Sequence, residues 1–162
     1  MKRLILIRHS KSSWKDLSLS DFNRPLNVRG KSDGPLMADY LKSKIKKIDY
    51  LHSSSSVRTF ETSKYFINQI QFEKIEYDDS LYHCSATSIL NMIRSYSDNY
   101  QSVMIIAHNP GLTNLINSIT NISLDNLPTT GLAEIEFNIN SWSNISYEKS
   151  NLVDLKFPKQ LK

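Results

Sequence analysis

Two segments of this sequence carry residue types suited to chemistry on an anion: Arg8-His9, and His108-Asn109-Pro110-Gly111. A neutral imidazole is a nucleophile, and a guanidinium fork matches phosphate oxygens in pairs. Arg58 follows the run Ser53 to Ser56 at the start of a helical pattern, and Arg24-Pro25-Leu26-Asn27 adds a further arginine. Two histidines and up to three arginines converging on one sheet edge are the composition expected for phosphoryl recognition. The cationic neighbours are expected to depress the pKa of His9 and keep its ring neutral near neutral pH.

Other chemistries lack their residues. No His-Glu-x-x-His or paired-cysteine spacing is present, so no metal and no cofactor is expected. A cysteine phosphatase needs an arginine six residues after its nucleophile, where Cys84 is followed by Leu90. The Gly-x-Ser-x-Gly elbow of serine hydrolases and the glycine-rich loop of P-loop enzymes are missing. His52 and His83 read as structural, and Trp14 as a residue of the pocket mouth.

The reactive residues need elements to place them. Leu4 to Ile7 and Val103 to Ala107 are short apolar runs of the kind buried in a sheet covered on both faces. His9 and His108 therefore belong just beyond the carboxyl ends of strands, where open α/β sheets build their crevices. Helical patterns near Leu36 to Ile45, Val57 to Ile70 and Thr87 to Tyr96 alternate with short strands near Tyr50 to His52 and Ile75 to Tyr77. Leu112 to Ile119 follows Pro110 in the first turn of a helix whose free N–H groups favour negative charge. Leu132 to Ile139 and Ile145 to Phe157 read as late strands that can pair antiparallel. Gly34-Pro35 predicts a kink or a late start in the helix before Ile45. The expected architecture is a three-layer α/β/α sandwich with a central, mostly parallel mixed sheet, spanning residues 1–162 as a single domain.

Taken together these segments resemble the histidine phosphatase superfamily, with its phosphoglycerate-mutase-like fold, and within it the SixA-type phosphohistidine phosphatases. The matching parts, over nearly the whole chain, are Leu6 to Trp14, Asp21 to Gly30, Ser53 to Thr62, Leu81-Tyr82, Ile106 to Gly111 and Leu127 to Ala133. The resemblance implies that His9 attacks phosphorus and forms a phosphohistidine later released by water. It implies that Arg8, Arg58 and His108 bind the phosphoryl oxygens through the transition state, with Arg24 beside the pocket.

Two departures bear on substrate. Ser10 stands where the family often has glycine, and its small side chain fits. Branches of the family that cleave esters resemble one another in supplying a carboxyl group, and here Asn109 follows His108 while Leu81-Tyr82-His83 occupies the other position. An alkoxide leaving group needs a proton, and lacking an acid forgoes about 10²–10⁴ in rate. Imidazole departs from phosphohistidine readily, so the expected partner is a phosphohistidine-bearing protein. Asp21, Asp16, Asp79 or His83 acting as an acid would admit a small phosphorylated metabolite instead, and a non-catalytic phosphate-binding module is the alternative outside enzymes.

Composition sets outer bounds. The 162 residues are 40% hydrophobic, enough for a modest core, and 20 Lys and Arg against 16 Asp and Glu give +4, a mild preference for anions. The basic run Lys42 to Lys47 reads as the solvated end of a helix, so no nucleic-acid partner is expected. The first residues offer four consecutive apolar positions before Arg8, too few for a signal-peptide core or a membrane span. One cysteine leaves no internal disulfide. These features predict a cytoplasmic protein without membrane association.

Overall fold

A computed structural model describes all 162 residues. Strands β1 (Lys2–Arg8), β2 (Lys47–Ser54), β3 (Gln71–Asp78), β4 (Ser102–Ala107), β5 (Leu132–Phe137) and β6 (Ser150–Lys156) form one sheet in the order β3-β2-β4-β1-β5-β6. The β3-β2, β2-β4 and β4-β1 pairs are parallel, and β5 runs antiparallel to both β1 and β6. The sheet is therefore mixed and mostly parallel, as the two late strands suggested. The last of them begins later than the sequence pattern indicates, at Ser150, after two short 3₁₀ turns.

Helices cover both faces. Leu4 and Leu6 of β1 and Val103 and Ile105 of β4 point to the side of α3 (Ala86–Arg94) and α4 (Gly111–Ile119), packing with Ile89, Ile93, Leu112 and Ile116. Ile5, Ile7, Met104 and Ile106 point to the other side, against Met37 and Leu41 of α1 (Val28–Lys44) and Phe66 of α2 (Val57–Ile67). Strand side chains alternate between faces, so an unbroken apolar run is what a strand buried on both sides requires. Fully burying each such side chain contributes about 1.5–3 kcal/mol.

Polar caps set the helix starts. The side chains of Asn27, Ser56 and Ser85 accept from backbone N–H groups in the first turns of α1, α2 and α3. The expected late start at Gly34-Pro35 does not occur, because α1 already begins at Val28 and carries Pro35 in its interior. The carbonyl that Pro35 cannot serve belongs to Lys31, an exposed residue open to water. Gly34 is needed for packing, since a Cβ there would lie 2.2 Å from the Tyr65 ring. Lys42, Lys44, Lys46 and Lys47 are exposed around the end of α1. No helix is long and apolar enough to cross a membrane.

Candidate active site

Strand register brings the two histidines together. Arg8 and Ala107 are paired across β1 and β4, so the next residues, His9 and His108, leave the sheet side by side with ring centroids 5.2 Å apart. The His9 amide donates to the Ala107 carbonyl at 3.2 Å, and the Thr130 amide donates to the His9 carbonyl at 3.1 Å. Ser10 is fully buried, its amide bonded to Thr62 Oγ1 and its hydroxyl accepting from Thr130, so the position expected to hold glycine takes a serine with its polar atoms satisfied.

The hydrogen bonds fix both tautomers. His9 Nδ1 lies 2.7 Å from the Ser10 carbonyl, which can only accept, so Nδ1 carries the proton and Nε2 keeps its lone pair. His108 Nδ1 accepts from Arg58 Nη2 at 3.4 Å, and its Nε2–H donates to Ser54 Oγ at 2.9 Å. Burial pushes the His9 ring well below its ordinary pKa, and the charges of Arg58, His108 and Arg8 add to that shift against a raising bond from Ser10. The expected direction holds, with desolvation rather than the arginines as the larger cause. His108 is lowered to about 3, again first by burial and then by Arg58.

The arginines stand at different degrees of commitment. Arg8 donates from Nη1 to the Leu127 carbonyl at 3.0 Å, and its buried Nε has no partner within the protein. Arg58, on the first turn of α2, holds the Asp21 carbonyl and carboxylate at 2.7 and 2.9 Å. Arg24 lines the same cavity, but each of its nitrogens is already engaged, by Ser13, Asp21 and Ser12, and its guanidinium lies on the Trp14 ring. The cavity they border, about 250 Å³, brings together all five sequence-predicted residues, His9, Arg8, Arg58, His108 and Arg24.

Asp21 is the hub that sequence reasoning undervalued. It bonds Arg24, Arg58 and the Tyr82 hydroxyl, and His83 Nε2 lies 3.3 Å from its carboxylate. Burial alone would raise its pKa, yet hydrogen bonds from Tyr82 and Arg58 and the Arg58 charge hold it far below the usual carboxylate range. It stays ionised and has no proton to give. Its three-residue spacing from Arg24 was the available signal. Asp16 and Asp79 do not border the cavity. Asn109 does, and its role is structural: Oδ1 accepts from the Thr113 amide and hydroxyl in α4, while Nδ2 donates to Asn126 Oδ1 and the Leu127 carbonyl, both at 2.9 Å. An ionised carboxylate at that position would face two acceptors.

His52 is structural as expected, buried between Tyr96 and Asp78. His83 is not. It takes a left-handed backbone conformation at φ 51°, stacks on Tyr82 and lines the cavity mouth.

Two strand-end histidines beside arginines, on a phosphoglycerate-mutase-like α/β sheet, mark a phosphatase. The chain belongs to the histidine phosphatase superfamily, branch 1, whose family model matches residues 4–88. It is 32% identical over 151 residues to an uncharacterized chloroplastic protein of Arabidopsis thaliana, covering 87% of this chain and 69% of that one. Within the family it is of the SixA type. The Agrobacterium tumefaciens protein assigned as the phosphohistidine phosphatase SixA superposes with a TM-score of 0.82 at 26% identity, over 97% of this chain and 98% of that one. The protein histidine phosphatase SixA complexed with tungstate gives a TM-score of 0.80 at 19% identity, over 99% of each chain, a likeness of fold.

Proposed function

We propose that this phosphatase hydrolyses phosphohistidine on a protein through a covalent phosphohistidine at His9. The observation that carries the reading is a neutral His9 with Nε2 unbonded, among three arginines, in a cavity lined by no carboxylate, while Asp21 behind Arg24 and Arg58 is held ionised. His9 Nε2 attacks phosphorus, an N–P bond forms, and the P–N bond to the substrate imidazole breaks with its electron pair leaving on that ring. Water then attacks phosphorus, the bond to His9 breaks, and inorganic phosphate leaves as a proton passes to solvent. Arg8 and Arg58 hold the phosphoryl oxygens as charge redistributes; His108, whose one N–H is given to Ser54, positions Arg58 by accepting from Nη2 instead of binding those oxygens as the family resemblance implies, and Arg24 braces the wall beside them. Neither step requires a carboxylic acid, which suits an imidazole leaving group better than an alkoxide. The SixA likeness agrees with it.

Replacing His9 by Ala abolishes turnover while the circular dichroism spectrum stays native; wild-type rates in that variant would remove His9 from the mechanism. The substrate is read from kcat/KM on a phosphohistidine protein against a panel of alkyl phosphate esters, with the protein expected to be preferred. A second reading, an esterase for a small phosphorylated metabolite, draws support from the place of His83 at the mouth, where an imidazolium would be positioned to give a proton. Faster ester hydrolysis, lost in His83→Ala, would establish it. We further take residues 1–162 to be a single domain, since all the site residues hang on one sheet, acting in the cytoplasm, where a fold without disulfides is at home.

A further inference from the structure

The floor and the rim of the cavity differ in kind. His9, His108, Arg24 and Arg58 at the floor are 3–7% exposed, whereas Trp14 at the rim is 66% exposed and is the single apolar residue of the lining. A phosphoryl group gains nothing from an indole, so the ring faces another part of the substrate. Its orientation is set without burial. The Arg24 guanidinium carbon lies 3.2 Å from the ring centroid on one face, and Arg24 is itself fixed by Ser12, Ser13 and Asp21. With Arg24 on one face and 66% of the residue exposed, the indole keeps free surface where it lines the cavity. His83, the other ring at the rim, is already stacked on Tyr82 and paired with Asp21.

We propose that the free surface of Trp14 is a leaving-group subsite for a planar, protonatable heteroaromatic ring, the imidazole of the substrate. An imidazole stacks on an indole in either charge state, and its protonated form adds a cation–π attraction. A simple alkyl leaving group gains neither and a sugar gains no cation–π attraction, so the subsite selects among phosphorylated compounds by what departs. This inference rests on the phosphohistidine reading and adds to it a residue that recognises the departing ring.

The test compares a phosphohistidine peptide with phosphoramidate, which presents the same P–N bond without a ring. In Trp14→Ala the ratio of kcat/KM for the peptide to that for phosphoramidate falls about 3- to 30-fold, and Trp14→Phe restores most of it. An unchanged ratio, whether both rates hold or both fall through loosening of Arg24, overturns the subsite. Wild-type protein that cleaves phosphoramidate and spares the peptide removes the substrate reading itself, an outcome distinct from a Trp14 effect because it needs no variant.

Discussion

His9 is kept uncharged by its burial and by the charges of Arg58, His108 and Arg8, which outweigh the raising effect of the hydrogen bond that its Nδ1–H donates to the Ser10 carbonyl. Both histidines of the site consequently have folded pKa values below that of the unfolded chain. The unfolded state therefore binds more protons as pH falls from 6.5 towards the folded value, about 3 for His108, and stability declines through that window. His108 alone accounts for a loss of about 2 kcal/mol between pH 7 and pH 5. Urea midpoints at the two pH values should show this loss, and His108→Asn should flatten it. In the proposed mechanism Arg58 acts on the transition state, so Arg58→Ala should lower kcat/KM by about 10²–10³ on any phosphoryl substrate, read by steady-state kinetics. His9, Arg8, Arg58 and His108 were all visible in the sequence because each follows a recognisable strand or cap. His83 was named only as one of four possible acids, because its place at the cavity comes from a left-handed backbone and from contacts with Tyr82 and Asp21 that no periodicity encodes.

At the scale of elements, the loop carrying His83 is seated by a close approach of backbone to helix. A Cβ on Gly111, the first residue of α4, would lie 2.1 Å from the Cys84 carbonyl oxygen. Gly111→Ala should thus cost about 1–3 kcal/mol and lower the thermal midpoint by roughly 2–12 °C, measured by calorimetry. Strands β1 and β4 were the easiest elements to read, since burial on both faces makes them continuous apolar runs. The edge strand β3 was read as three residues and has eight, because Gln71, Glu73 and Lys74 are exposed and give no apolar signal. The start of α1 at Val28 was masked by Gly34-Pro35, whose cost is offset by packing against Tyr65 and by solvent at Lys31.

For the molecule as a whole, a modest net charge of +4 understates the local field. Arg8, Arg24, Arg58 and Lys11 border one cavity that no carboxylate lines, with Asp21 bonded to Arg24 and Arg58. Anionic substrates should be drawn in by attractions that salt screens over about 10 Å at 0.1 M, so KM should rise roughly three- to tenfold between about 20 and 300 mM sodium chloride with little change in kcat. Charge counts in the sequence could not show this concentration, which depends on the end of β1, the segment after it and the first turn of α2 meeting at one edge.

The pairing of β1 with β4 has a consequence for how the enzyme comes into being. His9 gains its neighbour only when Val103 to Ala107 zips alongside Leu4 to Arg8, and the other flank of β1 waits for Leu132 to Phe137. Contacts between segments so distant in sequence form late in folding, since loop closure must precede them. A chain halted short of β4 carries His9 but no pocket around it, so the phosphoryl chemistry proposed for this site requires β4 and β5 to be in place beside β1.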